Sequence, residues 1–538
     1  MVLLHTVPYL RKKNHFTDAD RFGSWVAHQD IVRAVLQYGG VEGVHFYVPY
    51  FREYSKEEIP DGIRELRAEF PSHDIDLKRP SDLHEMARRH RYILADDFEV
   101  FSSLALSRHS GQKCLFPVST VVHTVPRQTS LIGYSNVLLL AEPFDAIVTT
   151  SAAGEKAIQN IFEDIQHFIA SRLKIQFSKR MPIVNIPLAI DDNFLSPRDP
   201  ESARRELNLP AKAVIIMYLG RLSETFKADL EPLLAAYRLL SIDHPNLHLM
   251  IAGHDKDGKY TSIVKTMADQ LEIRNQVTVI TNFPYSIKPL LYAACDIFVS
   301  PVDNIQETFG LSILEAMACA LPVVASDWSG YRDLVAHGES GFLARTIWNP
   351  EAARLAEIVA PFPIKSEYFL AQQTVVDINE LRQYLKILIN NEDLRHRFGT
   401  NGRARVLERF CWRVVMNRYK DLWKEQWQQL DQTGQVVEWH APLNIEKQFG
   451  HFATALLDAQ TIFKRTSHVP LLSSGRRIDE SRVPYPIDIH ELRRVMSQCE
   501  QHPQTINDLS IAGDGVTTSA VTWLWKKGYI EPDTVRGG

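Results

Sequence analysis

Little in these 538 residues points to a membrane, an export route or a metal centre. No uninterrupted apolar run approaches the roughly 20 residues that a membrane-spanning helix needs, so no transmembrane segment is expected. The opening MVLLHTVPYLRKKNHF has too short an apolar stretch, and the wrong charge order, for a secretory leader. Cysteine is scarce: Cys114, Cys295, Cys319, Cys411 and Cys499 are odd in number and contain no CxxC pair. That argues against a disulfide framework and reads as reduced, mostly buried thiols, so a cytoplasmic protein is expected. No group of His, Cys and carboxylate residues has the spacing of a metal site. An excess of one charge is also missing. The 60 Lys and Arg against 65 Asp and Glu leave −5, too even for a broad nucleic-acid or anionic-membrane footprint.

What is present is a long chain with ordinary core-forming composition. Hydrophobic residues at 45% and charged residues at 23% suit a soluble globular chain of two or three domains. To about residue 200, short apolar runs alternate with helical patterns: VHFYVPYF (44–51), RYILADDF (91–98), CLFPVSTVVHTVP (114–126), DAIVTTS (145–151) and MPIVNIPLAI (181–190). Between them, WVAHQDIVRAVLQYGG is amphipathic and ends on Gly39-Gly40, a helix stop. The pattern then restarts with AVIIMYLG (213–220), LHLMIAG (247–253), QVTVIT (276–281), DIFVSP (296–301) and PVVASD (322–327). Strands alternating with helices imply parallel sheets covered on both faces.

The expected fold is therefore α/β, with two facing Rossmann-like doubly wound domains over 1–204 and 205–411. A closing helix over 412–430 should return to the first, and ligands should bind at the carboxyl ends of the strands. Residues 431–486 read as a linker with one helix, IEKQFGHFATALL, which places Ile445, Phe449, Phe452 and Leu456 on one face. Residues 487–538 read as helix, turn, helix and a Gly-Tyr-Ile strand, the pattern of a small α(+β) winged-helix-like domain.

The most specific signal is ETFGLSILE, residues 307–315. Gly310 lies where a helix should begin after the strand DIFVSP. The N–H groups of that first turn, with the positive end of the dipole, make a seat for a phosphate. Glu307 lies in the loop just before the seat, and Glu315 about one and a half turns into the helix. A carboxylate accepts hydrogen bonds from two adjacent hydroxyls, which sugars and ribose both offer, at roughly 1.5–3 kcal/mol for each charge-assisted bond. An arbitrary E-x7-E pair marks a solvated loop acid and an exposed helix position. Here Phe309-Gly310-Leu311 and EAMACALPVV accompany it, which shifts the balance toward a ligand site.

The motif E-x-F-G-L-x-x-x-E-A-M-A, after DIFVSP and before PVVASD, resembles the signature of glycosyltransferase family 4. Its members are retaining enzymes of the two-domain GT-B fold that use nucleotide-activated sugars. The resemblance covers about 213–430, including YLGRL (218–222) followed by Lys227, AGHD (252–255), ESGFLA (339–344) and RVLERFCW (405–412). In the N-terminal half NIPLAIDDNF and Val122-His123 match in position more than in letter. The resemblance implies that Arg221 and Lys227 bind the donor diphosphate, Lys227 standing one residue further along than is usual. Two cations there would stabilise the charge that develops on a leaving diphosphate. It implies that Glu307 contacts the transferred sugar and Glu315 the nucleotide ribose, while backbone N–H groups of Phe309, Gly310 and Leu311 meet sugar hydroxyls and phosphate. His123 would touch the transferred sugar or the acceptor. Gly23, in DRFGSW, stands for the glycine-rich first loop beneath the phosphates, although the usual Gly-Gly is absent. A nucleotide-diphosphate sugar is then the donor substrate, the acceptor is unidentified, and no cofactor or metal is required.

Some other stretches invite different chemistry. GHDKDGKY (253–260) nearly matches the phosphate-binding G-x-x-x-x-G-K-[ST], but it ends on Tyr260 instead of the hydroxyl residue that holds magnesium. Asp74-Ile75-Asp76 and Asp255-Lys256-Asp257 are D-x-D tripeptides, which bind metal in other glycosyltransferases, yet neither follows an apolar strand in the needed way. The tail would be taken for a DNA reader by pattern alone. From 485 to 538, however, Arg493, Arg494, Lys526, Lys527 and Arg536 face seven acidic residues, which leaves few phosphate contacts. With Trp523 and Trp525, a peptide- or protein-docking module, the acceptor included, or a self-association element fits better than DNA. Two functions follow: a glycosyltransferase, or a nucleotide-sugar-sensing regulator with a DNA- or protein-binding winged helix. An intact Arg221, Glu307 and Glu315 favours the enzyme.

Overall fold

The structure, a computed structural model, describes residues 2–4, 23–47, 61–78, 93–95, 98–108, 115–123, 125, 128–174, 181–351, 366–433, 460–465, 489–509, 515–526 and 529–533. The chain forms two compact units, Met1–Arg52 with Ile59–Trp439, and Glu53–Glu58 with His440–Gly538.

The first unit holds two parallel sheets. One contains β1 (Val2–Leu4), β2 (Gly43–Tyr47), β3 (Asp74–Lys78), β4 (Ile93–Ala95), β5 (Ser119–Val122), β6 (Ala146–Thr149) and β7 (Ile183–Asn185), in the order β3-β2-β1-β4-β5-β6-β7. The other contains β8 (Val214–Leu219), β9 (Leu247–Gly253), β10 (Val277–Thr281), β11 (Ile297–Ser300), β12 (Val323–Ser326) and β13 (Gly341–Ala344), in the order β10-β9-β8-β11-β12-β13. Every pairing in both sheets is parallel. These are doubly wound sheets, and strand order reverses between β1 and β4 and again between β8 and β11. Ligands bind in the crevices outside the carboxyl ends of the strands at such switch points. The opening VLL, read from sequence only as too short for a leader, is β1 itself, a central strand.

Helices cover both faces, which is why the strands read as nearly continuous apolar runs. On one face of the first sheet the helix Gly23–Tyr38 packs Ile31 and Val35 beside Met416, Tyr419 and Trp423 of the helix Trp412–Thr433. The helix Trp412–Thr433 thus packs on the first sheet. Its buried Gln426 donates to the Phe144 carbonyl at 3.0 Å and accepts from the Ser119 hydroxyl at 2.8 Å. The helices Phe98–Ser107, Gln128–Leu140 and Ala152–Leu173 cover the opposite face. Where the chain crosses between sheets its two passages touch, Ile190 N–H donating to the Phe410 carbonyl at 3.0 Å. The helix Pro200–Glu206 straddles the 204/205 boundary drawn from sequence. It packs with the second sheet, through Arg204 to the Ala294 carbonyl (3.0 Å) and Asp296 (2.7 Å), so the boundary lies earlier. A two-stranded antiparallel ribbon, β14 (Thr346–Trp348) and β15 (Thr374–Val376), follows β13.

The second unit holds β16 (Ile462–Arg465), β17 (Gln504–Thr505) and β18 (Ile530–Pro532), antiparallel with β16 in the centre. The helices Ile489–Gln501, Ile506–Leu509 and Gly515–Lys526 bury Leu492, Val495, Val521 and Leu524 against Phe463 and Ile530. The expectation of a linker over 431–486 is corrected here. Its IFKR run supplies the central strand, whose pairing partners lie some 40 to 70 residues downstream and leave no local signature. The helix expected around Ile445 to Leu456 lies outside the described residues. Cys295, Cys319, Cys411 and Cys499 are free and buried, and Cys114 lies outside the described residues. Among those residues no helix is long and apolar enough to cross a membrane.

Candidate functional site

The switch point of the second sheet brings two loops together. After β8, Gly220 leads into Arg221, and Ser223 then folds the chain back. The Ser223 carbonyl accepts from the N–H groups of Lys227 (3.0 Å) and Ala228 (3.2 Å), and its hydroxyl accepts from Phe226 N–H at 3.2 Å. The Arg221 guanidinium lies 6.0 Å from the centroid of the Phe226 ring. This turn returns Lys227 toward the loop after β11, where its ammonium forms an ion pair with Glu307.

The second loop runs from β11 to the helix Leu311–Ala318. Asn304, fully buried, knots the two loops together. Its Nδ2 donates to the Thr225 carbonyl at 2.9 Å, while its Oδ1 accepts from Gln306 N–H at 3.0 Å. Its carbonyl accepts from the Trp328 indole at 3.0 Å and from Glu307 N–H at 3.1 Å. Asp303 beside it is buried too, and burial pushes its carboxyl up to about 8.

Gly310 caps the helix with φ of 109°. A Cβ there would lie 2.4 Å from Tyr331 Cε1, and the Tyr331 ring is fixed by a 2.9 Å hydrogen bond between its hydroxyl and Ser300. Glycine is therefore required on two counts, backbone conformation and space. It brings the bare first turn of the helix, with Phe309 and Leu311 on either side, up to the Arg221 and Lys227 loop. Phe309 N–H lies 3.4 Å from Glu307 Oε1.

Glu315 is only 3% exposed, and its charge is matched within the protein. Oε1 accepts from Lys288 at 2.5 Å and Oε2 from the Tyr292 hydroxyl at 2.7 Å. Burial, and then the Glu315 charge, hold the Tyr292 hydroxyl well above its ordinary range, so it remains a donor. A carboxylate has about four lone-pair sites, and one on each oxygen is still unused by these bonds. Lys288 also lies 5.1 Å from the centroid of the Tyr285 ring, which stacks on Phe194 at 5.1 Å.

His123 follows β5 in the first sheet, and its carbonyl accepts from the Thr308 hydroxyl at 2.9 Å, tying that sheet's loops to the Glu307 loop. The structure thus pairs Lys227, on the same loop as Arg221, with Glu307, whose loop leads through Phe309 and Gly310 into Leu311, and joins His123 to that loop through its backbone, while Glu315, further along the helix, is held by Lys288 and Tyr292. Gly23 starts the helix Gly23–Tyr38, and the loop before it lies outside the described residues. Asn304, Lys288, Tyr292 and Tyr331 were not anticipated. A pair of polar residues, Asp303-Asn304, directly after an apolar strand was the available hint.

The competing stretches resolve into structural roles. Gly253 ends β9, and the helix Lys259–Gln270 begins after Gly258. The place a phosphate would take is filled by Asp255, which accepts from Gly258 N–H (3.1 Å), Thr261 N–H (2.7 Å) and the Thr261 hydroxyl (2.6 Å). Asp74 and Asp76 lie on strand β3 and pair with His45 (2.8 Å) and Arg67 (3.2 Å). Among the described residues no group of three or more His, Cys, Asp or Glu has the geometry to hold a metal ion.

Residues 199–360 match the family described as glycosyl transferases group 1. Over 171 residues the chain is 32% identical to a D-inositol 3-phosphate glycosyltransferase of Thermobispora bispora, covering 31% of this chain and 39% of that one. Over 170 residues it is 34% identical to the enzyme of the same name from Streptosporangium roseum, covering 30% and 38%. The chain thus spans about two fifths of the length of these curated relatives. Among solved structures, sucrose-phosphate synthase from Thermosynechococcus elongatus superposes with a TM-score of 0.52 at 17% identity, over 80% of this chain and all of that one. Anabaena HepE, solved with UDP, gives 0.54 at 16% identity over 79% and 99%. HepE solved with UDP-glucose gives 0.51 at 17% identity over 80% and 100%. The paired parallel sheets together with these likenesses identify the architecture as the GT-B fold.

Proposed function

We propose that the protein is a retaining glycosyltransferase, taking a hexose from a nucleotide-diphosphate sugar and passing it to a hydroxyl-bearing acceptor. The observation that carries this reading is the ion pair that joins Lys227, on the loop that also holds Arg221, to Glu307, on the loop that leads into the helix Leu311–Ala318. The group 1 match over 199–360 supports it, and the UDP and UDP-glucose complexes of HepE favour uracil as the base.

The chemistry follows from the charges. The donor's anomeric C–O bond breaks as the acceptor oxygen bonds to the same face, and the acceptor proton passes to the departing diphosphate. Negative charge grows on that diphosphate, where Arg221, Lys227 and the helix N–H groups hold it. Lys227 exchanges its partner on donor binding, from Glu307 to phosphate, and Glu307 is released to accept the sugar hydroxyls. Glu315 accepts from the ribose through its remaining lone pairs. His123 lines the side where sugar and acceptor meet. These cations and the helix dipole meet the charge requirement, so the reaction is metal-independent and runs undiminished in excess EDTA. Closure of the two sheets over the donor excludes water.

The decisive experiment is transfer from UDP-, GDP- and ADP-sugars by Arg221→Ala and Glu315→Ala. The first lowers turnover by about 10²–10³, the cost of losing one stabiliser of developing charge. The second chiefly weakens nucleotide binding. Unchanged kinetics in both variants refute the site.

The family match spans 199–360, the half assigned here to the donor, which leaves the acceptor to the other half. The names of the relatives make a phosphorylated cyclitol the first candidate. A second reading, favoured by an exposed tryptophan, makes the C-terminal unit a winged-helix-like module that docks a peptide or protein acceptor. Its Trp525 is 42% exposed while Trp523 stacks on Tyr529. Trp525→Ser then lowers transfer and leaves donor hydrolysis unchanged. The buried free thiols of Cys295, Cys319, Cys411 and Cys499 support a cytoplasmic location.

A further inference from the structure

A cavity of about 300 Å³ opens in the first unit, and none of the donor-seat residues lines it. Thr150 and Asn185, at the carboxyl ends of β6 and β7, form one side, and Asp333 and Arg405 of the second half form another. Its size is at the small end of ligand cavities. Three guanidinium groups line it, Arg405, Arg409 and Arg418, against two carboxylates, Asp333 and Glu408.

Asp333 is already committed. Its carboxylate accepts from Ala152 N–H at 2.7 Å, at the start of the 22-residue helix Ala152–Leu173, whose positive end therefore lies beside the cavity. Arg405 is held rigidly, donating to the carbonyls of Leu334 (2.8 Å) and Asp333 (2.7 Å). Burial, and then the Arg409 charge, hold its guanidinium below the ordinary range, so the cations repel one another at this place. Glu408 approaches Arg409 only to 3.6 Å. Two buried polar atoms have no hydrogen-bond partner, the hydroxyl of Thr150, a residue 2% exposed, and the side-chain carbonyl of Asn185. Buried polar groups are almost always satisfied, so unmet groups on residues that line a cavity with clustered cations point to a missing ligand. Pro187, Phe410 and Val414 add an apolar wall.

We propose that this cavity binds a small phosphate ester of a polyhydroxylated compound, with the phosphate on the arginines and hydroxyls on Thr150 and Asn185. Guanidinium forks match phosphate oxygens in pairs, while the orphan hydroxyl and amide ask for a ligand that both donates and accepts. The inference does not depend on the donor assignment. It does carry a consequence for it: Phe410 lines the cavity and its ring packs on Phe309 of the donor loop, centroids 6.4 Å apart. A ligand here would touch both sheets and the seam where the chain crosses between them.

The test is calorimetric titration of the full chain with sorbitol 6-phosphate, inorganic phosphate, sorbitol and succinate. Sorbitol 6-phosphate binds saturably, inorganic phosphate more weakly, and sorbitol does not bind. Affinity persists in Arg221→Ala, so the donor seat cannot account for it. It falls at least about tenfold in Arg409→Gln, an exposed position where the fold is not at risk, and also falls in Thr150→Val, which keeps the shape and removes the hydroxyl. Absence of saturation at millimolar ligand, or equal affinity in both cavity variants, overturns the proposal. Succinate binding as tightly as sorbitol 6-phosphate overturns the phosphate class.

Discussion

Gly310 allows the phosphate seat to be tested by one methyl group, with a second glycine as internal control. At Gly310 the backbone has φ of 109°, and a Cβ would lie 2.4 and 2.7 Å from two atoms of the Tyr331 ring. At Gly338 φ is 79°, yet a Cβ there would meet nothing within 4 Å. Alanine at 338 therefore incurs only the backbone penalty, about 1–2 kcal/mol for a left-handed L-residue. Alanine at 310 incurs backbone strain of about 1–3 kcal/mol and overpacking of about 1–3 kcal/mol against a buried ring. The Gly310→Ala cost is then about 2–6 kcal/mol in total. Relief would come by moving Tyr331 or lifting the start of the helix Leu311–Ala318, and either movement disturbs the N–H groups that receive phosphate. Urea unfolding followed by tryptophan fluorescence gives the ranking, using midpoints because a chain of two units need not unfold in one step. Thermal shift with UDP gives the functional half. Gly338→Ala retains the nucleotide-induced shift with a small loss of midpoint, whereas Gly310→Ala loses both. Equal midpoints for the two variants, or a normal UDP shift in Gly310→Ala, would refute the geometry argued for the seat.

Other perturbations probe the loops around it. Asp303 has a folded value of about 8 against 3.8 for the ordinary carboxyl, so between these values the folded chain keeps a proton that the unfolded chain releases. Its contribution to stability is full below about pH 4 and is lost as pH rises through 8. Asp303→Asn, always neutral, should melt progressively higher than the natural protein from pH 4 to 8, with a constant difference above that; a difference independent of pH removes the buried proton. Asn304→Ala strands the Thr225 carbonyl and the Gln306 N–H, at about 1–3 kcal/mol. Because Asn304 ties the Lys227 loop to the Glu307 loop, the variant also raises KM for the donor, and an unchanged KM would limit Asn304 to a purely structural role.

The two-sheet architecture was legible because parallel strands buried on both faces must be apolar throughout, and ten of the runs named in advance contain strands. The strands that escaped reading have specific reasons. β1 is three residues at the chain start, and β3 carries Asp74 and Asp76 because an edge strand leaves its acids free to reach His45 and Arg67. β16 is defined by partners far along the chain. The site divides in the same way. Gly310, Phe309 and Glu307 are local to one loop and helix start, so spacing alone could collect them. Their supports are not local: Lys288 lies 27 residues before Glu315, and Asn304 lies 79 after Thr225. Such contacts are created by crossover connections, which bring loops of successive strands to the same sheet end without any sequence period.

Glu315 shows what that non-local support does. A carboxylate on the apolar helix LSILEAMA, 3% exposed, would ordinarily be neutralised or excluded by its desolvation cost. Lys288 and Tyr292 offset that cost while each occupies only one lone pair of its oxygen. They also fix the side chain, so a ligand hydroxyl meets an oriented acceptor and spends no ordering entropy on it. Removing either partner should therefore weaken nucleotide binding through Glu315, with no contact of its own to the ligand. Tyr292→Phe isolates the effect by deleting one hydroxyl from a buried ring. If Glu315 recognises ribose, that variant loses UDP affinity while binding of inorganic phosphate at the helix start is retained. Equal losses for both ligands would mean that Tyr292 merely supports the fold.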